Sequence, residues 1–245
     1  MLLAIDIGNT KIKTAVFEQD KLLDKQSFNK EETLEKFKKI FEMYPEINHS
    51  ICSSVGKIEV NALDFIKSRS SLLEINHDSI FPFENNYTTP KTLGIDRIVL
   101  MTGAYLLFPM TNVLVIDCGT CVTYDCITAE GKYFGGAISP GIEMRYKALH
   151  TFTEKLPLLN NKLPKSMIGD STNESIYSGV VNGLKFEIEG FISQYSLKFP
   201  HLTIILTGGD ADFLAKSLKS TIFAHSNFLV ESLNALFHYH KKIKC

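Results

Sequence analysis

Two short segments of this chain carry residue types suited to holding a polyphosphate: Asp6-Ile7-Gly8-Asn9-Thr10 and Asp117-Cys118-Gly119-Thr120. In the first, a glycine follows an apolar run, so backbone N–H groups can approach phosphate oxygens with no Cβ in the way. Asn9 and Thr10 add side-chain donors, and Lys13 offers positive charge. Asp6 stands where it could hold Mg²⁺ through water, because that ion keeps most of its hydration shell and takes only one or two carboxylates. Taken alone, the segment is equally a tight hairpin with an Asx-type turn. The second copy changes the weighing, since two loops gripping one polyphosphate is an economical reason to keep both.

A third glycine site lies at Leu206-Thr207-Gly208-Gly209-Asp210, where an apolar run ends and a helix is expected to begin. Absent side chains at Gly208 and Gly209 suit the flat approach of an adenine or ribose, and a helix N-terminus favours nearby negative charge. The bland alternative is a simple strand-to-helix turn. Gly94-Ile95-Asp96-Arg97 sets a carboxylate beside a guanidinium. Asp96 could orient a hydroxyl nucleophile and accept its proton, while Arg97 could grip a carboxylate or amide with its fork of donors. The same pair is also what a helix N-terminal Asp with a surface ion pair would look like.

Other chemistry finds less support. Cys118 and Cys121 form a CxxC, but no second such pair completes four ligands, so structural thiols are expected. His238 and His240 point apart on a terminal helix and read as surface. The chain has neither a nucleophilic-serine elbow nor a Walker loop.

The elements that must position these residues follow from an internal echo: LLAIDIGNTKIKTAVFEQDKLL at the start matches VLVIDCGTCVTYDCITAEGKYF from Val113. Each copy reads as a strand ending in Asp-x-Gly, a Thr-containing strand, a polar turn and a third strand. Duplication of one α/β fold is the simplest explanation, dividing the chain into 1–112 and 113–245 with the last helix able to pack back on the first part. Helices are expected over 31–44, where Pro45 ends the pattern, and over 96–108, 143–149, 174–199 and 229–240. Strands are expected over 50–55 and 202–206. Residues 80–92 and 153–169 read as loops, and the basic tail as solvated.

Composition narrows the function classes. Basic and acidic residues number 26 and 27, so no overall field draws in nucleic acid or an anionic membrane. A hydrophobic share of 44% against 22% charged residues supports a sizeable packed core. No apolar run approaches the roughly 18 residues of a membrane span, and the opening residues do not resemble a signal peptide. A cytoplasmic protein is therefore expected. Cysteines number 5, an odd count that fits free thiols in a reducing compartment.

Six ordered segments resemble one family, the type III pantothenate kinases. They are DIGNTKIK at Asp6, the Tyr87 loop leading to GIDR at Gly94, DCGTCVTYD at Asp117, FGGAISPGIEMRYKAL at Phe134, STNESIYSGV at Ser171 and LTGGD at Leu206. The resemblance implies a duplicated actin-like (ribonuclease H-like) two-lobe fold, each lobe a mixed β-sheet flanked by helices. It implies ATP-dependent phosphorylation of pantothenate to 4'-phosphopantothenate, the first step of coenzyme A biosynthesis. It further implies that Asp6, Ile7, Gly8, Asn9, Thr10, Lys11, Ile12, Lys13 and Thr120 contact ATP and that Asp117 helps bind a monovalent cation. Tyr87, Gly94, Ile95, Asp96, Arg97 and Thr172 would meet pantothenate, with Asp96 as general base. Mg²⁺, potassium or ammonium, and a homodimer are implied too. Cys118 and Cys121 stand where small residues are more usual in the family, which makes thiol sensitivity near ATP conceivable. The rival readings are an actin-like kinase for another small acid or sugar, and a non-enzymatic ATP-binding regulatory protein. The GIDR loop favours pantothenate over the first. The absence of large lobe insertions weighs against filament or chaperone versions of the second.

Overall fold

A computed structural model describes residues 1–56 and 58–244. In chain order its first elements are β1 (Leu2–Ile7), β2 (Lys11–Glu18), β3 (Lys21–Asn29), α1 (Thr33–Met43), β4 (His49–Ser54), α2 (Val60–Arg69), β5 (Ser71–Ile75), β6 (Glu84–Asn85) and α3 (Ile95–Leu107). Then come β7 (Val113–Cys118), β8 (Cys121–Ile127), β9 (Lys132–Pro140), α4 (Ile142–Thr151), α5 (Thr172–Tyr177), α6 (Gly183–Lys198), β10 (Thr203–Thr207), α7 (Ala211–Ala215), β11 (Phe223–Ala224) and α8 (Phe228–Lys244). Two compact units result. One holds Met1–Met110, Ala129–Phe134 and Asn227–Cys245, and the other Thr111–Thr128 and Gly135–Ser226.

The first unit is built on a sheet of order β3-β2-β1-β4-β5, with β1 antiparallel to β2 and parallel to β4. Every residue of β1 is buried. Leu3, Ile5 and Ile7 enter the cluster that holds Phe37, Ile40, Ala62 and Ile66 of α1 and α2. Alternation then turns Leu2, Ala4 and Asp6 to the opposite face. Helix α8 packs on α3, β1 and β4. The α3–α8 crossing is close because Gly103 faces Ser232: a Cβ on Gly103 would stand 2.5 Å from the Ser232 Cβ.

The second unit repeats this plan in the order β9-β8-β7-β10-β11, with β7 antiparallel to β8 and parallel to β10. Leu114, Ile116 and Cys118 of β7 join Tyr124, Ile142, Leu184 and Ile188 in its core. The opening residues of β9, Lys132 and Tyr133, belong to the first unit, where they pair in parallel with β6. The fold is α/β and actin-like, one mixed-sheet plan used twice.

Several boundaries differ from expectation. Residues 56–79, left without elements in the sequence, contain α2 and β5. The expected loop 80–92 carries β6 and a 3-10 turn, Pro90–Thr92. The expected helix 174–199 is α5 and α6 joined by a π-helical turn, Ser178–Asn182, inside which Asn182 Nδ2 donates to Ser178 Oγ at 3.1 Å. The basic tail is the last turn of α8 rather than a separate segment, with Lys241 and Lys242 exposed. His240 is not a surface residue: it is 7% exposed because it continues the buried stripe of Leu229, Leu233, Leu236 and Phe237 along α8. Cys245 lies outside the described residues.

Candidate active site

The first Asp-x-Gly turn is a two-strand hairpin tip. Gly8 N donates to Lys11 O at 3.1 Å, which closes the turn between β1 and β2. Asn9, Thr10 and Lys11 are exposed at the tip, while Ile7 and Ile12 are buried in the core on either side. Asn9, Thr10 and Lys11 can therefore offer side chains to a ligand, and Ile7 and Ile12 only backbone. Lys13 is half-buried and lies directly across from Asp6 in the β1–β2 register, so the two side chains share a face.

Asp6 is 4% exposed, and Ser53 Oγ donates to its Oδ1 at 3.1 Å. Ser53 is its neighbour in β4, a partner that no motif in the sequence revealed. The same strand's exit supports the turn, because Val55 N and Gly56 N both donate to Ile7 O at 3.1 Å. A Cβ on Gly56 would collide with Gly8 O and stand 2.6 Å from Lys30 Nζ, so this glycine lets the two loops touch.

The first unit also assembles Tyr87, Gly94, Ile95, Asp96 and Arg97. Gly94 caps α3, Ile95 is buried, and Asp96 sits in the first helical turn, where its Oδ1 accepts from Arg97 N at 2.8 Å. Arg97 is 5% exposed, so it is not half of a surface ion pair. Its guanidinium stands 5.7 Å from the centre of the Tyr87 ring, a cation–π contact of about 2 kcal/mol when desolvated. Tyr87 in turn stacks on fully buried Tyr133, with ring centres 6.3 Å apart and planes 10° apart. An Asx turn holds the loop, Asn85 Oδ1 accepting from Tyr87 N at 3.1 Å. Tyr133 was invisible as a site residue because it lies 46 positions beyond Tyr87 along the chain.

In the second unit, Gly119 N donates to Cys121 O at 2.9 Å, closing the second turn as Gly8 closes the first. Thr120 is exposed and Asp117 half-buried. The glycine pair after β10 meets this turn. Gly208 has φ +97°, and a Cβ there would collide with Asp117 Oδ1 and Cys118 O and stand 2.5 Å from the Cys118 carbonyl carbon. Asp210 N donates to Cys118 O at 3.0 Å. Gly209 has open space where a Cβ would go. Helix α7 has only 5 residues, so Gly208 and Gly209 serve the turn more than a long helix dipole.

The electrostatics around this turn are acidic. Burial, reinforced by Glu143, pushes the Asp210 carboxyl above its ordinary value. Burial and the charges of Asp117, Asp210 and Glu187 push the Cys118 thiol well up, so it stays protonated and unreactive. Cys52, Cys118 and Cys126 are buried and, like half-buried Cys121, free. Among the described residues no group of His, Cys, Asp and Glu forms a metal cluster, and no helix is long and apolar enough to cross a membrane. Thr172 opens α5 and is exposed, with Ser171 Oγ capping the helix by accepting from Glu174 N at 3.3 Å.

The chain is similar to known proteins in fold and in sequence. A solved chain from Campylobacter jejuni, described as belonging to the Baf family of transcriptional activators, superposes with a TM-score of 0.63 at 20% identity, covering 98% of this chain and 99% of its own. The activator of 2-hydroxyisocaproyl-CoA dehydratase from Clostridium difficile, solved with bound ADPNP, gives a TM-score of 0.56 at 11% identity over 99% and 97% of the two chains. At these identities the likeness is one of fold. In sequence, the type III pantothenate kinase of Flavobacterium johnsoniae is 51% identical over 239 residues, 98% of either chain. The family model for type III pantothenate kinase matches residues 2–194. With its two Asp-x-Gly turns and its Gly94–Arg97 helix start in place, this chain belongs to the type III pantothenate kinase family.

Proposed function

We propose that this protein transfers the γ-phosphoryl group of ATP to the primary hydroxyl of pantothenate, giving 4'-phosphopantothenate for coenzyme A synthesis in the cytoplasm. The observation that carries the acceptor assignment, beside family membership, is the helix start where Asp96 stands next to buried Arg97, whose guanidinium lies over the half-buried Tyr87 ring. Arg97 grips the pantothenate carboxylate or amide, and Tyr87, Gly94, Ile95 and Thr172 are its further contacts with this chain. Asp96 aligns the hydroxyl and accepts its proton. Because phosphoryl transfer passes through a loose transition state, alignment contributes more than early proton removal.

Both Asp-x-Gly turns serve ATP. Residues 6–13 and Thr120 hold the phosphates, Gly209 leaves room for the nucleoside, and Gly208 lets the chain pass close against Asp117 and Cys118 beside it. Asp6 fits Mg²⁺ bound through water: it is a buried carboxylate at a strand end, oriented by Ser53. That ion would neutralise charge on the transferring phosphoryl group. The acidic surroundings of Asp117, with Asp210 and Glu143 close by, fit a monovalent cation such as K⁺ or NH4⁺, which would let a polyanion approach. Exposed apolar side chains in the second unit, Phe152 at 85%, Ile168 at 83% and Ile138 at 63%, suit burial against a second copy and support a homodimer. Sedimentation tests that state, and a monomer at micromolar concentration removes it.

The acceptor is tested by offering ATP, Mg²⁺ and K⁺ with pantothenate, a hexose, N-acetylmannosamine or acetate in parallel. Phosphorylation of pantothenate alone is expected. Preferential phosphorylation of a sugar or of acetate would hand the site to another actin-like kinase activity.

A further inference from the structure

We infer that Arg145 and Glu187 are positioning residues: their ion pair clamps the corner at 139–141 onto Gly119 and Thr120, and thereby sets how tightly the second turn holds ATP. The inference rests on the reading of that turn as an ATP-binding element.

The contacts run in one chain. Gly141 N donates to Thr120 O at 3.1 Å, and a Cβ on Gly141 would collide with Gly119 O and stand 2.6 Å from Thr120 O. The corner thus presses on the turn through bare backbone. What holds the corner is Arg145, one turn into α4. Its Nε donates to Pro140 O at 2.8 Å, and its Nη2 donates to Ser139 Oγ at 2.9 Å and to Glu187 Oε2 at 2.6 Å. Glu187 projects from α6. Its other oxygen accepts from Tyr124 OH at 2.8 Å. Tyr124 is fully buried in β8, the strand leaving the turn, and stacks on Phe191 of α6 with ring centres 4.0 Å apart. One carboxylate therefore ties both the corner above the turn and the strand leaving it to the same helix.

Stability alone is a poor reason for this arrangement. The Arg145 and Glu187 side chains are only 20% and 25% exposed, and an ion pair so far removed from water gains little over apolar packing of similar volume. What the pair supplies that apolar packing does not is direction, since a guanidinium sets three acceptors in one plane. Burial by itself would raise the Glu187 carboxyl. The hydrogen bonds from Arg145, Tyr124 and Ser139 outweigh it and hold the group below the ordinary carboxylate range. The clamp is thus charged at neutral pH.

The test measures ATP binding by calorimetry with Mg²⁺ and K⁺ present, on wild type, Arg145→Met, Arg145→Lys and Tyr124→Phe, with melting temperature and the KM for pantothenate alongside. Arg145→Met is expected to weaken ATP roughly tenfold, as a small misplacement of a binding group does. Arg145→Lys should fall between it and wild type, because an ammonium cannot reproduce the planar fork. Tyr124→Phe, which keeps the stack on Phe191, should weaken ATP about twofold in the same direction. The KM for pantothenate should not move. An unchanged ATP affinity in the folded variants, with only the melting temperature lowered, would overturn the inference. Should Arg145→Met not fold, the other two variants decide it on the same criterion. Wild-type protein that binds ATP but leaves pantothenate untouched would sink the acceptor reading and spare the clamp, whereas wild type that binds no ATP would sink both.

Discussion

Replacing Gly208 with alanine tests the second turn without touching a charged or hydrogen-bonding side chain. At φ +97° an L-residue is strained, at about 1–2 kcal/mol. The added methyl also meets backbone: the carbonyl carbon of Cys118 would be 2.5 Å away, and neither it nor its oxygen can rotate aside. Forced overlap of that kind costs about 1–3 kcal/mol. Alanine restricts the unfolded chain and returns about 0.4–1 kcal/mol, leaving a net loss of roughly 1–5 kcal/mol. For a chain of this size the melting temperature should fall by about 2–20 °C.

The methyl also collides with Asp117 Oδ1, so the carboxylate must leave its place. Gly208→Ala should therefore raise the KM for ATP and the K⁺ concentration needed for half-maximal rate, by about tenfold or more, with the KM for pantothenate little changed. Gly209→Ala is the internal control, because its methyl enters open space. It should melt within about 0.5 kcal/mol of wild type, so any rise in its KM for ATP reports contact with the nucleotide. Thermal melts and steady-state kinetics on both variants suffice. A Gly208→Ala protein that melts and binds ATP like wild type would refute the packing argument and the placing of Asp117 in the ATP site.

Other consequences follow from the same contacts. Asp96→Asn should cut kcat by at least about a hundredfold while calorimetry shows ATP affinity near wild type; full activity would remove Asp96 from the mechanism. Gly103→Ala should destabilise by about 1–3 kcal/mol in urea melts, since its Cβ would lie 3.0 Å from the Ser232 Cα and closer still to its side chain. Adding Ser232→Gly should recover part of that loss, and no recovery would mean that the α3–α8 crossing is not what the methyl disturbs. The depressed Glu187 carboxyl stabilises the fold above its unfolded value of 4.5, and this contribution is lost as pH falls through the lower folded value. Arg145→Met should flatten that acid limb in melts between pH 3 and 5.

The sequence displayed those parts of the site that sit next to each other along the chain. Both Asp-x-Gly turns were legible because each follows an apolar run, and β7 matches β1 at Leu3/Leu114, Ile5/Ile116 and Asp6/Asp117. The Gly94–Arg97 helix start was legible because its four residues are consecutive and open a helix. Pairings across long chain separations were not: nothing local links Ser53 to Asp6, Tyr133 to Tyr87 or Glu187 to Arg145. Helix α2 was missed because it buries only Ala62 and Ile66, too few apolar positions to print a period. The π-helical turn was hidden within a pattern that reads as continuous helix. The spacing of His238 and His240 alone does not show that His240 lies on the broad apolar face that α8 packs against α3, β1 and β4.

Following phosphorus shows whether the γ-phosphoryl group of ATP passes to pantothenate. With ATP, Mg²⁺, K⁺ and pantothenate, a ³¹P NMR time course should show one new phosphomonoester, 4'-phosphopantothenate, for each ADP formed, and almost no ADP when pantothenate is left out. ADP and inorganic phosphate appearing at the same rate with and without pantothenate, and no phosphomonoester, would mean an ATPase in whose reaction pantothenate takes no part.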